Sequence, residues 1–132
     1  MKLDTSNIRD VLKTRLPALA DSHPERSDVW SESPAHNYAL FGEVLRPFMF
    51  SLLRSPGHEH ELRQLFSLLE EIARGDSPTL SDILQVEIVI PLANTKGDRE
   101  LAWKYLGGSL RKLVNEAGKW NFRVWLGNLL TR

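Results

Sequence analysis

Residues 62–84, Leu62-Arg63-Gln64-Leu65-Phe66-Ser67-Leu68-Leu69-Glu70-Glu71-Ile72-Ala73-Arg74-Gly75-Asp76-Ser77-Pro78-Thr79-Leu80-Ser81-Asp82-Ile83-Leu84, decide the fold. Leu62, Leu65, Phe66, Leu69, Ile72 and Ala73 recur at spacings of three and four, which puts them on one face of an amphipathic helix. Gly75 stops that helix, and Asp76-Ser77-Pro78 supplies a cap and an N-terminal proline for the next one. A second stripe follows at Leu80, Ile83 and Leu84. Two helices joined by one short turn form a hairpin, the unit of α-solenoids and small bundles. The spacing therefore predicts an all-α single domain over residues 1–132, with about five to seven helices in HEAT-like antiparallel hairpins.

The same pattern extends in both directions. Thr5, Ser6 or Asn7 caps a helix striped by Ile8, Val11, Leu12 and Leu16 and ended by Pro17. Residues 21–36 are polar and proline-punctuated and read as a long loop, with Trp30 as its anchor to the body. His36 or Asn37 opens a helix with a wide apolar face, from Tyr38 and Phe41 to Leu52 and Leu53. Pro47 lies inside it and must kink or divide it, because proline removes a hydrogen bond and clashes with the preceding turn. Ser55-Pro56-Gly57 closes the element. Beyond the hairpin, Asp98 is the expected cap of a helix through Leu101, Trp103, Tyr105 and Leu106. Gly107-Gly108 ends that helix, Ser109 caps another, Gly118 breaks again, and Trp120 to Leu130 forms the last stripe.

Residues 85–90, Gln85-Val86-Glu87-Ile88-Val89-Ile90, carry two readings. Their β-branched richness suits a strand, whereas the helix start at Pro78 favours a buried central helix that Pro91 ends or kinks. On a helix Glu87 shares the stripe of Leu80, Ile83 and Leu84, so its carboxylate needs a partner, expected in the basic C-terminal part.

Composition narrows the function. Cysteine is absent, which excludes disulfides, thiolate chemistry and cysteine-built zinc sites. Met1-Lys2-Leu3-Asp4-Thr5 lacks an apolar signal-peptide core and no run is long enough for a membrane span, so the expectation is a cytoplasmic protein without a membrane partner. The 17 basic and 17 acidic residues balance, which argues against a nucleic-acid binder. Their distribution is uneven. Residues 57–95 hold 7 acidic against 2 basic side chains, and residues 96–132 hold 8 basic against 3 acidic. Either the two sets neutralise each other across the fold, or Glu59, Glu61, Glu70, Glu71, Asp76 and Asp82 form an acidic face for a basic partner.

No catalytic set emerges, and the chain is not read as an enzyme. His58-Glu59-His60-Glu61 offers at most two convergent metal ligands on a helix, so no metal or other cofactor is expected. Glu70 and Glu71 diverge by about 100° and cannot act as a pair. Glu87 as a pocket acid is a weaker alternative to its structural role. The turn before Ser109, with Arg111 and Lys112 nearby, is a weak candidate for anion binding at a helix start, and Trp120 and Trp125 are weak candidates for base stacking.

Leu65-Phe66-Ser67-Leu68-Leu69-Glu70-Glu71-Ile72-Ala73, Gly75-Asp76-Ser77 and Leu84-Gln85-Val86 together resemble the small all-helical immunity proteins of bacterial polymorphic and contact-dependent toxin systems. The resemblance covers the last two thirds of the chain and departs at Ile90-Pro91, where an acidic residue is expected. It implies an immunity protein that neutralises one cognate toxin, a basic toxin domain such as a nuclease, by one-to-one binding, the protein itself being a monomer or weak dimer. The rival expectation is a HEAT-like adaptor or scaffold without a toxin partner.

Overall fold

The structure, a computed structural model, describes residues 2–21 and 36–130, with side chains described to Lys119. The expected loop around Trp30 and the stacking candidates Trp120 and Trp125 lie outside the described side chains. Among the described residues there are helices and turns and no strand. The helices are α1 (Ile8–Arg15), α2 (Pro17–Asp21), α3 (37–54), α4 (Glu59–Arg74), α5 (78–94), α6 (96–105) and α7 (Gly108–Leu130). The all-α expectation holds, and residues 85–90 are helical.

The punctuation read from the sequence does what backbone chemistry requires. Leu16 ends α1 and Pro17 starts α2. Gly57, at φ +86°, turns the chain between α3 and α4 in a conformation that a side chain would strain. Ser77 caps α5, its hydroxyl accepting from the Leu80 N–H at 3.3 Å, with Pro78 in the first turn. Three expectations are corrected. The start of α1 is held by Asp4, whose carboxylate accepts from the N–H groups of Ser6 and Asn7. Asp98 lies within the first turn of α6, with Thr95 at the cap position. Gly118 does not break the chain, since α7 continues through it to Leu130.

Helices α3 and α5 share an unusual plan. Each contains a π-helical turn, Leu40–Leu45 in α3 and Gln85–Val89 in α5, with a proline just beyond it. The apolar spacing explains both. Phe41, Leu45, Met49 and Leu53 are buried at intervals of four, as are Leu80, Leu84, Ile88 and Leu92. At about 100° per residue, an interval of four drifts about 40° each time in a regular α-helix, so three intervals carry the stripe a third of the way round. A wider turn takes up that drift and returns the apolar residues to one face. The Arg46 N–H bonds to the Phe41 carbonyl and the Ile90 N–H to the Gln85 carbonyl, five residues back in each case. Pro47 and Pro91 follow directly, where a missing N–H and a bulky ring are easiest to accommodate. Pro91 therefore neither ends α5 nor breaks it, and the helix runs on to Asn94.

Helix α5 is the hub. It packs against α4 in the predicted hairpin, against α3 where the two π turns cross, and against α6 and α7 on its C-terminal half. The core is continuous, with Phe41, Phe66, Met49, Leu65, Leu68 and Leu69 among its fully buried side chains. Among the described residues the buried polar side chains are Arg9, Asn37 and Asp98, and each of these has a partner. Arg9 donates to Asn37 at 2.7 Å, joining α1 to α3. Asp98 accepts two hydrogen bonds from the Arg54 guanidinium, at 2.7 and 3.0 Å, joining α3 to α6. Two parallel bonds of this kind are the strongest form of an arginine–carboxylate pair.

Candidate functional site

The carboxylates expected to face a partner separate into two groups. Glu70 is turned inward. It accepts from the Ser109 N–H at 2.8 Å and the Leu110 N–H at 3.3 Å, so it caps α7 from another helix. Gly107 makes room for it, since a Cβ there would lie 2.2 Å from the carboxylate. This corrects two expectations at once. Ser109 does not cap α7 with its own side chain, and the anion site at the Gly107-Gly108 turn is already filled by Glu70. Arg111, read as a helper of that site, instead donates to the Trp103 carbonyl at 3.1 Å and lies over the Trp103 ring.

Glu71 is paired with Arg15 of α1, Asp76 with Lys2 at 3.0 Å, and Glu59 with Lys104 at 3.7 Å. Of the neutralising pairs expected between residues 57–95 and 96–132, these include one, Glu59 with Lys104, while Glu71 and Asp76 pair with bases of the N-terminal part. Glu61 is half-buried near the start of α4, and Asp82 is exposed on α5. The six residues thus occupy both ends of α4, the cap of α7 and the outer side of α5. They do not meet in one cluster.

Glu87 has a partner, but from a different element than expected. The Arg46 guanidinium donates to its carboxylate at 3.2 Å and to its backbone carbonyl at 3.3 Å. That carbonyl is the one an N–H at Pro91 would have used in a regular helix. Gly42 of α3 lies directly on the carboxylate, where an added Cβ would sit 2.3 Å from Oε2. The crossing of the two π turns is therefore a polar seam of Gly42, Arg46 and Glu87, partly exposed at Arg46 and Glu87.

On the exposed side of α5, Asp82, Val86 and Ile90 follow one another at intervals of four. All three are exposed, Val86 at 50% and Ile90 at 36%. Among the described residues the other large apolar side chains in water are Tyr38 and Leu101, on α3 and α6. The seam beneath and the α4 and α7 contacts around α5 hold this stripe on a firm backbone. Sequence reading missed the stripe, because it took α5 as apolar all round. The signal was there: the π turn that keeps Ile88 and Leu92 inward also leaves Val86 and Ile90 outward.

Among the described residues, no group of three or more histidine or acidic side chains converges as metal ligands, and no helix is long and apolar enough to cross a membrane. Two open hollows flank α4. One, of about 520 Å³, lies between Arg15 and Pro17 on one side and His60, Arg63 and Gln64 on the other. The second, of about 320 Å³, is bounded by Arg63, Phe66, Arg74, Lys104 and Tyr105.

No curated protein and no solved structure matches the chain. One family model, described as a domain of unknown function, DUF7674, matches residues 9–121. That match begins in α1 and ends within α7, so it takes in the π-turn seam, the Glu70 cap and the α5 stripe together. The chain accordingly belongs to the DUF7674 family.

Proposed function

We propose that this protein is an inhibitory binding protein, an immunity protein that neutralises one cognate bacterial toxin in the cytoplasm by one-to-one association, and that Asp82, Val86 and Ile90 form the centre of the contact. The observation that carries the reading is the outward stripe of α5. Two branched aliphatic side chains stand one turn apart in water on a helix that is otherwise well packed. Removing such side chains from water on binding contributes roughly 25 cal/mol per Å² of apolar surface, while an adjacent carboxylate favours a basic partner and speeds encounter. A rigid helical platform also limits the entropy lost on association. The resemblance of Leu65–Ala73, Gly75-Asp76-Ser77 and Leu84-Gln85-Val86 to toxin-system immunity proteins supports a toxin domain as the partner.

The reading expects the adjacent upstream gene to encode a large secreted protein with a C-terminal toxin domain, and the test is co-expression with that domain, followed by light scattering of the purified mixture. The reading expects restored growth and a one-to-one complex. Val86→Asp combined with Ile90→Asp should abolish both while leaving the helical circular-dichroism spectrum unchanged. Growth restored equally by the double variant would remove α5 from the contact. A stable complex that leaves the toxin active would favour the adaptor reading.

A further inference from the structure

We infer that the outward face of α4 is a docking groove for an acidic peptide segment of a protein partner. This surface is distinct from the α5 stripe, and its failure would leave the reading of that stripe standing. Residues 57–95 are acidic in sum, yet their two basic side chains, Arg63 and Arg74, are eleven residues apart. Eleven residues are three helical turns, so the two residues share a face within about 20° and their backbones stand roughly 16 Å apart along it. Ser67 lies between them on the same face, and Arg63, Ser67 and Arg74 all line the second hollow.

Charge on this face is left uncompensated by the fold. Lys2, Arg15, Arg46, Arg54 and Lys104 each have a carboxylate partner, whereas Arg63 and Arg74 have none among the described residues. The carboxylate nearest to them in the groove, Glu70, is spent on the N–H groups of Ser109 and Leu110. Tyr105 forms the floor of the second hollow. Its ring stacks on Phe66 at 6.0 Å between centroids, and both Arg63 and Lys104 lie against it, at 5.6 and 5.1 Å. An arginine held against an aromatic ring keeps its fork of donors oriented for a carboxylate. Cations spread over this length suit an extended chain with several negative side chains better than one small anion. About five residues of extended peptide span it. The zero net charge of the protein disfavours a nucleic acid as the occupant.

Fluorescence anisotropy with a fluorescein-labelled octapeptide of alternating Asp and Glu tests the inference, with an octalysine peptide and an oligothymidylate of matched charge as competitors. The acidic peptide should bind the full chain, weaken as salt rises, and weaken at least tenfold for Arg63→Glu and for Arg74→Glu separately. Lys112→Glu, an exposed charge reversal on α7, should leave binding within twofold. Thermal melts of each variant separate lost binding from lost folding, and Arg63→Gln provides a milder second variant. Absence of binding, binding by either charge-reversed α4 variant as tight as by the unchanged chain, or displacement by oligothymidylate but not by unlabelled acidic peptide would overturn it.

Discussion

Helices α4 and α5 are partners in one hairpin and nearly equal in length, yet they solve the problem of burial differently. On α4 the apolar residues Leu62, Leu65, Phe66, Leu69 and Ile72 fall at mixed intervals of three and four, and the helix is regular α throughout. On α5 intervals of three occur as well, Leu80 to Ile83 and Val89 to Leu92, but Leu80, Leu84, Ile88 and Leu92 run on at four, and the helix opens a π turn that keeps those four on one side. The carboxylates follow suit. Glu70 on α4 leaves its own helix to cap α7, while Glu87 on α5 is locked to Arg46 at the π-turn crossing. The comparison teaches that a sustained run of four-residue intervals goes with a π turn, and that the turn helps decide which side chains of α5 stay outside.

Phe66→Ala should have the largest effect. The ring is fully buried on the regular helix and stacked on Tyr105, so its loss should cost about 3–5 kcal/mol in chemical denaturation. A loss under 1 kcal/mol would mean that α4 is not packed as described. Gly42→Ala probes the seam on the other side. An added methyl must displace the Glu87 carboxylate from Arg46, and destabilisation of about 1–3 kcal/mol should follow. Combining Gly42→Ala with Glu87→Ala should cost less than the sum of the two changes, because both break one contact. Additive costs would dissolve the seam as a unit.

Glu70→Ala removes the cap that α4 lends to α7. A loss of about 1 kcal/mol is expected, with faster amide hydrogen exchange at Ser109 and Leu110 and no change at the Ser77 cap of α5. The smallest effect concerns Asp4. Hydrogen bonds from the Ser6 hydroxyl, and then from the Ser6 and Asn7 N–H groups, hold its carboxyl below the usual range. A carboxyl lowered in the folded state stabilises above its unfolded value and loses that contribution as pH falls through the folded value. Amide exchange at residues 6 and 7, corrected for its intrinsic pH dependence, should therefore quicken below about pH 4, and Asp4→Asn should remove the dependence.

Features made by neighbours in sequence were legible. The hairpin, the Ser77 cap, the Pro17 restart and the Gly57 turn each depend on a few adjacent residues. The helical state of residues 85–90 was legible because a capped start outweighs β-branched composition once the segment is continuous with it. The Glu70 cap was not, because its donors lie 39 and 40 residues away and nothing local marks a carboxylate that will cap a distant helix. For the same reason an acidic sum over residues 57–95 did not show that Asp76, Glu71 and Glu59 pair at separate places with Lys2, Arg15 and Lys104. The π turns had a readable sign in the repeated interval of four, and the basic stripe had one in the eleven residues between Arg63 and Arg74.

The most direct measurement of the proposed function is a methyl NMR titration of the selectively labelled chain with a candidate toxin domain from an adjacent gene. The account predicts that the Val86 and Ile90 methyl signals shift or broaden first and saturate at one equivalent, while those of buried Leu65 and Leu68 on α4 stay in place. Saturation of binding with Val86 and Ile90 unmoved would contradict it.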